Sequence, residues 1–81
     1  MVQPGPEVFV VDGDQADRDR AVRLLGANGV GAVGHASAED LLSAGLPPRP
    51  GCVLIDVILP GMSGLALFRQ LRQDHPAYPV I

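Results

Sequence analysis

The chain has no lysine, no threonine and no tryptophan, and it has a single cysteine. All six basic residues are arginines, scattered among nine acids for a net charge of −3 over 81 residues. No basic patch results, which argues against a general nucleic-acid binder. Cys52 has no partner for an intrachain disulfide, a usage that fits a reducing cytoplasm. It sits in an apolar run and reads as an inert, buried small side chain. Long hydrophobic runs are missing as well. The most apolar stretch, Cys52 to Leu59, is short and carries Asp56, so it cannot span a bilayer. The opening Met1-Val2-Gln3-Pro4-Gly5-Pro6-Glu7 lacks the basic start and apolar core of a signal peptide.

What is present is a globular balance, 47% hydrophobic against 19% charged. The length allows one small domain. A chain this short buries only about 60% of the surface that its unfolded form exposes, so marginal stability is expected. Residues 1–6, with two prolines, read as a disordered lead-in, and the domain as 7–81.

Glu7-Val8-Phe9-Val10-Val11 is a β-branched apolar run, too short for a helix, and predicts a strand buried on both faces. Asp12-Gly13-Asp14 marks a turn. From Gln15 to Asn28 the spacing of Ala21, Val22, Leu24 and Leu25 predicts a helix, with Asp14 and Asp17 at its start and Asn28-Gly29 at its stop. Val30 to His35, rich in glycine, reads as a weak edge strand. Ser37 is placed to cap a short helix carrying Leu41, Leu42 and Ala44. Leu46-Pro47-Pro48-Arg49-Pro50 is a rigid connector. Gly51 to Asp56 is a second buried strand, followed by a loop with Pro60, Gly61 and Gly64. Leu65 to Gln73 is a helix with Leu67, Phe68 and Leu71 on one stripe, ended by Asp74-His75-Pro76. Pro79-Val80-Ile81 reads as the start of a further buried strand. Strands alternating with helices predict a parallel sheet covered by helices, with ligands at the carboxyl ends of the strands.

Two of these strands end in acids: Asp12 and Asp14 after the first, Asp56 at the end of the second. Side by side in a parallel sheet, they converge at one edge. Like charges that close repel, and a magnesium ion held by a few carboxylate oxygens and waters relieves the conflict. An aspartate beside magnesium can also attack a phosphoryl group and become an aspartyl phosphate. The plain alternative is that strand-ending aspartates form turns and caps. That suits Asp14, at a helix start. It does not suit Asp56, which Val57-Ile58-Leu59 follow.

Val8-Phe9-Val10-Val11-Asp12 and Leu54-Ile55-Asp56-Val57-Ile58-Leu59-Pro60-Gly61-Met62-Ser63-Gly64 resemble the receiver domain of bacterial two-component response regulators, closest in flavour to the FixJ-like subclass. Ala36-Ser37-Ala38-Glu39 and Pro79-Val80-Ile81 resemble the family at matching places. The resemblance implies a flavodoxin-like, doubly wound α/β fold, incomplete at the C-terminus. It implies a phosphoacceptor rather than an enzyme, with Asp56 taking a phosphoryl group from a sensor histidine kinase. Magnesium would be held by Asp12, Asp56 and the backbone carbonyl of Ile58, with Asp14 as a further candidate. Pro60 and Gly64 would shape the loop, and the helix after Gln15 would face the kinase with Arg18, Ala21, Val22 and Leu25.

The sequence departs from that family in three ways. Gly13 stands where the second acid of the family's pair binds metal, which implies weakened magnesium binding. The chain ends before the family's Thr or Ser and its Lys. It also ends before the family's last strand and last two helices, so the open sheet edge is expected to pair with a second copy or another receiver. A second reading is therefore a degenerate receiver that docks on a partner without phosphorylation. A third takes Asp12-Gly13-Asp14 as the first motif of haloacid-dehalogenase-type phosphatases, with Asp12 as nucleophile and Asp14 as acid. His35 and His75, without a second ligand at metal spacing, read as a strand end and a solvated helix end.

Overall fold

The structure, a computed structural model, describes residues 7–48 and 50–81. The expected lead-in over 1–6 and Arg49 of the connector lie outside them. Strand β1 (Glu7–Val11) leads to helix α1 (Gln15–Ala27), β2 (Gly31–His35), α2 (Ala38–Ala44), β3 (Gly51–Ile55) and α3 (Gly64–Asp74). The sheet is parallel, in the order β2-β1-β3. The connection through α2 therefore carries the chain across β1. With right-handed crossovers, α1 and α2 fall on opposite faces of the sheet.

Strand side chains alternate between the faces, and the register pairs Phe9 with Val53 and Val11 with Ile55. Phe9, Val11 and Val53 are buried with Ala38 and Leu41 of α2, Leu67 and Leu71 of α3, and Leu59. Val10 lies on the opposite face and is buried outside that cluster. Helix α1 packs on β1 and β2 there. Its packing centres on those two strands, and on β3 Leu54 is 36% exposed and Cys52 only half-buried. The expectations of a fully buried β3 and a buried Cys52 are corrected accordingly.

Each helix starts on a side-chain cap. The Asp14 carboxylate accepts from the Asp17 N–H, the Ser37 hydroxyl from Asp40, and the Ser63 hydroxyl from Ala66. Asn28 closes α1. Of the stripe expected on α1, Ala21, Val22 and Leu25 are half-buried, and Leu24 points outward at 63% exposure. Pro79 to Ile81 extends the sheet beyond β3. The Val53 N–H donates to the Pro79 carbonyl (2.9 Å), and Ile81 and Val53 and Ile55 exchange two more bonds (2.8 and 3.0 Å). The expected burial holds in part for Val80, which packs against the core, and fails for Ile81, which is exposed.

Candidate functional site

The last residues of β1 and β3, Val11 and Ile55, are register partners. The next residue on each strand is an aspartate, so Asp12 and Asp56 emerge side by side at the carboxyl edge. The backbone continues the ladder one step further. The Asp56 N–H donates to the Val11 carbonyl (2.9 Å), and the Asp12 N–H donates to the His35 carbonyl (3.1 Å). The chain reverses direction across the sheet between β1 and β3, which is where open α/β sheets bind ligands.

Each carboxylate spends one oxygen on the backbone. Asp12 Oδ1 accepts from the Asp14 N–H (2.9 Å), and Asp56 Oδ1 from the Ile58 N–H (3.3 Å). Asp56 is exposed and Asp12 half-buried. Asp14 uses Oδ1 to cap α1 (3.1 Å). Among the described residues no three His, Cys, Asp or Glu side chains gather closely enough to hold a metal. The donors that the register brings to one edge, the Asp12 and Asp56 carboxylates, are hard oxygens. They fit magnesium, which keeps several waters. Gly13 supplies no donor, and a Cβ there would lie 3.0 Å from Pro60 Cδ. Pro60 thus leans on the first acidic turn.

The loop from Asp56 to Ser63 has three further supports. Leu59 is buried in the core. The Gly64 N–H donates to the Val57 carbonyl (3.2 Å). Gly64 itself is required by close approach, since a Cβ would collide with the Asp56 carbonyl oxygen. The third support was not legible as a site in the sequence. Glu39, in the first turn of α2, accepts from the Met62 N–H at 2.9 Å. That bond, aided by its own backbone N–H, holds the Glu39 carboxyl below its ordinary value. Gly61, beside Met62, has φ +71°, and a Cβ there would sit 2.6 Å from Glu39 Oε2. First-turn acids are usual in helices, so nothing in the local sequence told this one apart.

Two other contacts were also missed. His35 is buried, and its Nδ1 bonds Asp40 Oδ2 at 2.8 Å. Arg18 lies against Gly34, and its NH1 donates to the Asp12 carbonyl (2.8 Å). Arg18, Ala21, Val22 and Leu25, expected as partner surface, are the half-buried positions of α1. Asp19, Arg20, Arg23 and Leu24 face outward.

The sequence family described as response regulator receiver domain matches residues 8–81. The transcriptional regulatory protein FixJ of Azorhizobium caulinodans is 42% identical over 65 residues, covering 80% of this chain and 31% of that protein. Of solved structures, the response regulator StyR superposes with a TM-score of 0.87 at 34% identity, over 94% of this chain and 38% of that one. A receiver protein from Pseudomonas putida gives 0.85 at 31% identity, over 98% and 67%. The chain spans less than a third of FixJ's length.

Proposed function

The chain belongs to the response regulator receiver family of two-component systems, and on that premise we propose that Asp56 accepts a phosphoryl group from a histidine kinase. The observation that carries this reading is the register: Val11 pairs with Ile55, so Asp12 and Asp56 share one sheet edge. An Asp56 carboxylate oxygen attacks the phosphorus of a phosphohistidine. The O–P bond forms, the P–N bond breaks with its electron pair going to nitrogen, and the histidine leaves as neutral imidazole after taking one proton from solvent. Hydrolysis of the aspartyl phosphate returns the carboxylate and inorganic phosphate.

Asp12, Asp56 and the Ile58 carbonyl would hold the magnesium that such domains use. When bound, it would supply positive charge against the transferring phosphoryl oxygens. Asp12 binds and orients, Asp56 is the nucleophile, and the Ile58 N–H orients Asp56. TrrA of Thermotoga maritima, a regulator of the same fold at TM-scores of 0.82 and 0.84 and about 20% identity, has been solved with Mg2+-BeF and with the histidine kinase ThkA. Binding by TrrA motivates the partner and metal assigned here.

A second reading, docking without phosphorylation, is favoured by Gly13, which leaves two carboxylates where an acidic pair would give three. Intact mass spectrometry after incubation with phosphoramidate and magnesium separates the readings. One added phosphoryl group that Asp56→Asn abolishes supports the phosphoacceptor. A folded, unmodified chain supports the docking module. Steady phosphate-ester hydrolysis that needs Asp12 and ignores Asp56 would instead mark a phosphatase.

A further inference from the structure

The segment between Asp56 and α3 carries both the acceptor and the Ile58 carbonyl, yet it has no regular secondary structure. Its position depends on what grips it. Leu59 grips it from below by burial, and the Gly64 N–H closes it on Val57. Between them, Pro60 to Met62 crosses the surface. There Pro60 packs toward Gly13 on the acidic turn, and Met62 donates its N–H to Glu39. Glu39 lies 23 residues earlier in the chain and on a different element. The positive φ of Gly61 turns the backbone so that its open side meets the Glu39 carboxylate, where any Cβ would strike Oε2.

We propose that Glu39 is a positioning residue for phosphoryl acceptance: its carboxylate latches the Gly61–Met62 backbone to α2 and so holds Pro60 and the acceptor loop against the Asp12–Gly13 turn. The proposal rests on the phosphoacceptor reading and adds a part to it. Glu39 touches neither Asp56 nor any reacting atom. Its effect is transmitted through the backbone it grips. It is exposed, so its hydrogen bond contributes little to global stability. Loss of the latch is therefore expected to change the loop more than the fold.

The test compares the full chain with Glu39→Ala and Glu39→Gln, the second of which keeps an acceptor oxygen at the same reach. Three quantities are read: amide hydrogen exchange by NMR without metal, the thermal midpoint, and the rate of phosphorylation by phosphoramidate with magnesium. In Glu39→Ala, exchange at Met62 rises while Val10 and Val53 keep their protection. Its phosphorylation slows by about threefold to tenfold, the range one net hydrogen bond controls. Glu39→Gln recovers most of both losses, and all three midpoints stay close together. Unchanged exchange at Met62 in Glu39→Ala overturns the latch. Raised exchange with an unchanged phosphorylation rate overturns the positioning role, as does a Gln variant as slow as the Ala variant. A wild-type chain that takes no phosphoryl group overturns the phosphoacceptor reading itself, and the positioning role falls with it. That failure is distinct, because it appears before any variant is made.

Discussion

Replacing Gly64 by alanine tests the close packing that seats the acceptor strand on α3. The added Cβ would collide with the Asp56 carbonyl oxygen and lie 3.0 Å from both Ile55 Cγ2 and Val57 Cα. Two of these three atoms are backbone and cannot rotate away. Overpacking of this kind costs about 1–3 kcal/mol, and a backbone clash belongs at the top of that range. Alanine in place of a helical glycine returns up to about 1 kcal/mol through lower chain entropy. The clash wins, leaving a net loss of about 2 kcal/mol, a large share of the roughly 4–12 kcal/mol expected for 81 residues. At about 4–8 °C per kcal/mol for a domain this small, the midpoint falls by about 8–16 °C. Circular dichroism during thermal and urea unfolding reads this directly. Gly26→Ala is the control, because nothing lies within 4 Å of a Cβ there. It should raise the midpoint by about 2–8 °C. A Gly64→Ala chain with the midpoint of wild type would refute the packing argument.

Gly13→Asp supplies a third carboxylate at the sheet edge and should tighten magnesium about tenfold, or about 1.4 kcal/mol, in a metal titration followed by NMR. Pro60 must shift by a few tenths of an ångström to admit it, and no gain would show that the turn cannot aim the new group inward. Leu67→Ala, which empties a fully buried position, should cost about 2–5 kcal/mol in urea unfolding, whereas exposed Leu65→Ala should stay within about 0.5 kcal/mol. The Glu39 carboxyl is depressed in the folded chain by the Met62 hydrogen bond. Its stabilisation is therefore present above the ordinary carboxylate value of 4.5 and is lost as pH falls through the lower folded value. Any midpoint difference between wild type and Glu39→Gln should accordingly shrink below that pH, and a difference that grew on acidification would contradict the assignment.

The sequence made the strand and helix order legible because the periods were clean: Val8 to Val11 and Cys52 to Ile55 are apolar runs of strand length, and Leu67 and Leu71 repeat one turn apart. The caps were legible because Asp14, Ser37 and Asn28 have side chains suited to helix ends. Asp56 stood out because a charge inside an apolar run has no turn to make. Burial was harder to read. Leu54 and Cys52 look like core in the sequence, yet among the described residues the helix on their face, α1, packs chiefly over β1 and β2. The spacing puts Leu24 on the inner stripe of α1, but the helix turns it outward. The contacts of Glu39 with Met62, Arg18 with the Asp12 carbonyl, and His35 with Asp40 depend on which surfaces the crossovers bring together. No local pattern encodes them, since one exposed acid or arginine on a helix looks like any other.

Phosphoryl acceptance at Asp56 would leave an acyl phosphate. The most direct measurement incubates the chain with phosphoramidate and magnesium, reduces it with borohydride, and sequences the peptides by tandem mass spectrometry. An aspartyl phosphate is reduced at the acyl carbon to homoserine, while a free aspartate is untouched. Homoserine at position 56 alone, and only after phosphoramidate, is the predicted result. Homoserine at position 12, or none in a chain that circular dichroism finds folded, would contradict it.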